Sequence, residues 1–96
     1  MEIKAAVCRA THVPVGIESI DIDRPLGREV LVRTVATGVC HSDLHVVDGD
    51  GRLPLDHGIV LGHEGAGIVE AVGDQVTGLR PGDHVVACLS GFCGSC

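Results

Sequence analysis

Aromatic side chains are almost absent from this chain: Phe92 stands alone, with no tryptophan and no tyrosine. Any core must therefore be built from Val, Ile, Leu and Ala. No apolar run approaches the roughly 20 residues that a membrane-crossing helix needs. Met1-Glu2-Ile3-Lys4 lacks the charged-then-apolar layout of a signal peptide. No block of like charges suggests a binding tail. Basic charge is scarce, with 7 Lys and Arg against 13 Asp and Glu and a net charge of -6. That balance argues against a nucleic acid or an anionic membrane as partner. The expected compartment is cytoplasmic. A dinucleotide-binding turn is missing as well. Gly62, Gly65 and Gly67 do not have the G-x-G-x-x-G spacing, and the segment after them is too β-like to open a helix.

What is present points to a small folded unit. The 96 residues allow one domain with a modest core. An apolar fraction of 45% argues against disorder. The 5 cysteines are an odd number, so a disulfide framework would leave one over. Cys8 and Cys88 lie in Val- and Ala-rich runs and are expected as small core residues. Cys40, Cys93 and Cys96 remain as ligand candidates.

The dominant rhythm is short β runs broken by Gly, Pro and Asp. Residues 3–9 form a mixed apolar run, and residues 16–23 and 29–36 alternate with period two, less cleanly at Val35. Residues 65–72 and 83–89 are further strand candidates. Arg24-Pro25-Leu26-Gly27, Asp74-Gln75 and Pro81-Gly82 read as turns, and residues 52–58 as loop. The alternation breaks over residues 41–47, which predicts a short helix capped by Ser42 or His41 and ended by Gly49 and Gly51. Many short strands with one short helix indicate a small barrel or a curved sheet.

Cys40 and His63 carry the chemistry. A thiolate and a neutral imidazole bind zinc directly, and a catalytic zinc takes three protein ligands and leaves a fourth position open. His63-Glu64 sits in an apolar stretch, between Ile59-Val60-Leu61 and Gly65-Ala66-Gly67, so a metal there would lie in a dry cleft. From spacing alone, a buried thiol and a satisfied core histidine account for the pair equally well. Cys93-Gly94-Ser95-Cys96 is a C-x-x-C whose own readings include zinc and redox chemistry, the latter disfavoured without a βαβ context. His12, His57 and His84 have no partner at ligand spacing and are expected at the surface.

Gly62-His63-Glu64-Gly65-Ala66-Gly67, followed by Gly73 and Val76, fits G-H-E-x-x-G-x-x-x-x-x-G-x-x-V. Together with Thr37-Gly38-Val39-Cys40-His41-Ser42-Asp43, Pro81-Gly82-Asp83-His84-Val85 and the C-x-x-C, it resembles the medium-chain zinc-dependent alcohol dehydrogenases over essentially the whole chain. The resemblance implies a mainly β fold, a GroES-like partly open β-barrel with a short helix. It implies that residues 1–96 are an N-terminal catalytic domain cut off inside the structural zinc lobe, without the coenzyme domain.

The resemblance also implies roles. Cys40 and His63 are catalytic-zinc ligands, the Cys2His set being the family's known arrangement. Glu64 is the acidic neighbour of the metal, and Asp43 is the carboxylate that holds the ligand histidine. Ser42 takes the alcohol proton and His45 passes it towards solvent, the two lying on one face of a short helix. His41 lies near the coenzyme pyrophosphate. Cys93 and Cys96 are half of a structural zinc site. The implied cofactors are zinc and NAD, the substrate a small alcohol or aldehyde, and the complete enzyme a homo-oligomer. The chain alone is expected to show no turnover. Two alternatives stand beside this reading. One is a non-catalytic GroES-like metal-binding or interaction module. The other is an S-(hydroxymethyl)glutathione (formaldehyde) dehydrogenase subtype, against which Ser42 and His45 speak.

Overall fold

Period-two alternation of β-branched residues becomes antiparallel pairing throughout. The computed structural model describes residues 1–49, 54–91 and 93. Its elements are β1 (Glu2–Cys8), β2 (Gly16–Asp21), β3 (Val30–Thr37), α1 (His41–Val47), β4 (Ile59–Val60), β5 (Gly65–Val72) and β6 (His84–Val86). They fall into two units. Met1–Arg24 with Val39–Gly62 forms the first, and Pro25–Gly38 with His63–Cys96 the second. Among the described residues no helix is long and apolar enough to cross a membrane.

In the first unit the strand order is β2-β1-β4. β1 pairs with β2 from Glu2 opposite Asp21 to Val7 opposite Gly16. Its far end pairs with β4, Val7 opposite Val60 and Cys8 opposite Ile59. Val7 and Cys8, flanked on both sides, are the buried residues among those described in this unit. Arg9 follows immediately. Its guanidinium donates to both carboxylate oxygens of Glu18, at 3.0 and 2.6 Å, and to the carbonyl of His57 at 2.9 Å. These hydrogen bonds, and then the positive charge itself, hold the Glu18 carboxyl below its ordinary value of 4.5 and raise the guanidinium in return. His12, at φ 59, donates its N–H to the Val47 carbonyl at 2.6 Å and so satisfies an orphan acceptor at the end of α1.

In the second unit the order is β3-β5-β6, again antiparallel. The β3–β5 ladder slips twice. Leu31 faces Ala71 and Val32 faces Val69, which leaves Glu70 over; Thr34 faces Gly67 and Ala36 faces Ala66, which leaves Val35 over. The second bulge is the physical reason for the flawed alternation at Val35, and it turns that side chain out to 65% exposure. Val69, on the central strand, is the buried hydrophobic side chain here among the described residues, and Gly67 and Gly73 are buried with it.

The chain is mainly β with one short helix, as expected, and its described strands form two open three-stranded sheets with no closed barrel. Three local expectations change. β4 is too short to show a period and was not anticipated. β6 ends at Val86, so Cys88 lies past the ladder and is exposed instead of buried. The first turn falls two residues late, where Glu29 N–H bonds the Leu26 carbonyl and the Glu29 carboxylate accepts from Leu26 N–H, both at 2.9 Å. His12, His57 and His84 are exposed, as expected.

Candidate metal centre

In the first unit the candidate residues lie at the start of α1. Cys40 is the N-cap, in an extended conformation at φ -109 and ψ 145. This corrects the expectation that His41 or Ser42 caps the helix. Asp43, three residues on, sends its carboxylate back to the Cys40 N–H at 3.5 Å, while its own N–H bonds the Cys40 carbonyl at 3.0 Å. An acidic residue at that position fits a reciprocal cap and interacts favourably with the helix dipole. Cysteine is not among the preferred capping residues, so the sequence pattern does not mark Cys40 as a cap.

The Ser42 hydroxyl donates to Cys40 Sγ at 3.2 Å, so the group expected to handle the alcohol proton also contacts the candidate ligand sulfur. His41 and His45 are both exposed, and their rings meet edge to face with centroids 4.8 Å apart. That is the i, i+4 neighbour relation on a helix surface. Cys40 itself is half-buried.

In the second unit the candidate residues lie at the entry to β5. His63 is half-buried and Glu64 exposed. Glu64 is anchored by its backbone, its carbonyl accepting from the Gly38 N–H at 3.0 Å. A carboxylate oxygen of Glu64 and a ring nitrogen of His63 lie within 4.8 Å of each other. The glycines of the signature have separate causes. Gly62 sits at φ 116, where a side chain would be strained. A Cβ at Gly67 or Gly73 would strike backbone, of Arg33 in one case and of Leu26 and Gly27 in the other.

A thiolate at Cys40, an imidazole at His63 and a carboxylate at Glu64 are donor types that suit zinc. Among the described residues NAD finds no dinucleotide-binding unit. Every strand pair among the described residues is antiparallel, whereas dinucleotide sites are built on parallel strands with helix crossovers.

Cys93 is exposed, and its carbonyl accepts from Arg28 Nη1 at 2.8 Å. No sequence signal marks Arg28, since its contact is made across most of the chain. Cys96, expected as the partner of Cys93, lies outside the described residues, as do Phe92, Gly51 and the start of the loop expected over residues 52–58.

Comparison with known proteins gives a consistent result. The family profile described as "Alcohol dehydrogenase GroES-like domain" matches residues 27–96. An NDMA-dependent alcohol dehydrogenase of Amycolatopsis methanolica is 48% identical over 98 residues, which cover 100% of this chain and 25% of that protein. The crystal structure of an alcohol dehydrogenase zinc-binding domain protein from Burkholderia ambifaria superposes with a TM-score of 0.90 at 53% identity, over 100% of this chain and 25% of that one. The cobalt- and zinc-bound thermostable alcohol dehydrogenase of Pyrobaculum aerophilum gives 0.86 at 35% identity, over 100% and 29%. The chain thus spans about a quarter of the length of the curated relatives it matches.

Proposed function

The chain belongs to the alcohol dehydrogenase GroES-like domain family, and from that membership we propose that it is the metal-bearing part of a zinc-dependent alcohol dehydrogenase. The proposed overall reaction oxidises an alcohol to an aldehyde or ketone with NAD as hydride acceptor. The observation that carries this reading is the family match over residues 27–96, which takes in both candidate ligands, Cys40 and His63. Within the second unit the Gly38–Glu64 backbone hydrogen bond holds Glu64, which directly follows His63.

Cys40 and His63 would hold the zinc. A bound zinc supplies Lewis acidity, which makes an alcohol easier to deprotonate. Everything else falls to the protein's side chains. Asp43 fixes the backbone of Cys40 and with it the direction of the thiolate. Ser42, whose hydroxyl contacts the sulfur, takes the proton at Oγ, and a hydroxyl can do so because it is donor and acceptor at once. His45, exposed one helical turn on, receives it for release to water. Glu64 presents its carboxylate beside His63. His41 is the proposed point of contact with coenzyme, and Cys93 with Cys96 the proposed half of a structural zinc site. The relatives' printed names support zinc and an alcohol substrate.

Zinc titration of the purified chain tests the ligand assignment. The wild-type chain is expected to take up one equivalent more than Cys40→Ser or His63→Ala. Equal uptake by all three would overturn the assignment.

A further inference from the structure

The Glu64 carboxylate lies directly over Gly38. A Cβ built on Gly38 would sit 3.1 Å from the Glu64 carboxyl carbon and 3.2 Å from its Cβ, and closer still to Oε2. The same two residues share the 3.0 Å backbone hydrogen bond, so the side chain folds back over the residue its own backbone holds. In this pose a carboxylate oxygen comes within 4.8 Å of a His63 ring nitrogen. Glu64 is exposed and has several rotatable bonds, so nothing in its burial selects this pose. What permits it is a bare Cα at position 38.

We propose that Gly38 is a positioning residue, whose missing side chain provides the seat that keeps the Glu64 carboxylate beside the imidazole of His63. The role in metal binding rests on His63 being a zinc ligand; the seat itself does not.

The conformation of Gly38 makes the idea testable without unfolding the protein. Gly38 is not among the glycines at positive φ, so its backbone accepts alanine. The atom an alanine would press hardest is the far end of a flexible chain, which can swing away, while the Glu64 Cβ at 3.2 Å need give by only a few tenths of an ångström. Gly38→Ala should therefore move the carboxylate and spare the fold. Its effect should copy Glu64→Gln, which keeps the shape and removes the charge.

Two measurements decide the matter. In the metal-free chain, nuclear Overhauser contacts between the Gly38 α protons and the Glu64 side chain are expected. Their absence overturns the seat. In cobalt titrations, Gly38→Ala and Glu64→Gln are each expected to lower affinity by about 10-fold or more and to shift the visible absorption alike. The double variant should add nothing to either single one, because both remove one interaction. A wild-type spectrum and affinity in Gly38→Ala, or additive losses in the double variant, overturns the positioning role. If the proton contacts are present but cobalt does not bind, the seat stands and the metal-centre reading falls.

Discussion

At the scale of single residues, the signature glycines divide by what surrounds them. A Cβ at Gly67 would lie 2.8 Å from Val32 Cγ1 and 2.9 Å from the Arg33 carbonyl carbon, against a paired strand that cannot retreat cheaply. Gly67→Ala is therefore expected to cost roughly 1–3 kcal/mol by overpacking. It should appear as a lower urea midpoint at unchanged slope. A Cβ at Gly65 meets nothing within 4 Å, so Gly65→Ala should leave the midpoint unmoved. Equal midpoints for the two variants would refute the packing account. Asp43 acts differently, through the Cys40 N–H. Asp43→Asn should weaken zinc binding by about 10–100-fold, the usual effect of removing a partner that orients a ligand. Competition against a chelator reads that loss, and an unchanged affinity would show that Asp43 only caps the helix. The glycines, Cys40 and Asp43 were all visible in the sequence. What each one faces was not, since Val32 and Arg33 meet Gly67 only through the β3–β5 register.

At the scale of elements, the strands were the legible part, because alternation is a local property of the chain. β5 appeared in the sequence with its final bounds. β3 showed its bulge as a flaw at Val35, although the flaw did not say which residue would be left over. The contact that ties β1 to β2 and to the loop before β4 was not legible. Arg9 reaches Glu18 across the β1–β2 pair and His57 far along the chain. Because Arg9 holds the Glu18 carboxyl below its ordinary value of 4.5, the pair's stabilisation is complete above that value. It disappears as the pH falls through the lowered folded value. Glu18→Gln should therefore flatten the acid side of the melting-temperature profile, and added salt should flatten the wild-type profile too. Parallel profiles for wild type and variant at low salt would rule the pair out as a source of acid sensitivity.

At the scale of the whole molecule, little is buried. Val7, Cys8 and Val69 are the buried hydrophobic residues among those described, while Ile17, Leu26, Val86 and Leu89 are each more than 70% exposed. A chain of this length with so thin a core is expected near the lower end of domain stability, about 5 kcal/mol or less. A ligand that binds only the folded form then matters greatly. Zinc at 100 times its dissociation constant should add about 2.7 kcal/mol. Thermal melts with zinc and with a chelator measure the difference, and coincident melts would mean that no metal binds the folded form. Alcohol-dependent NADH production is expected to be absent from this chain alone; a zinc-dependent signal would show that these 96 residues suffice for turnover. The sequence by itself determined the strand rhythm, most of the turns, the single helix and the donor chemistry of Cys40, His63 and Glu64, since residue type and spacing are local. Only the tertiary structure decided that Ser42 bonds sulfur, that Arg28 reaches Cys93 and that Glu64 rests on Gly38. Those contacts depend on where the turns and strand pairings bring residues, the more so where they are far apart in the chain.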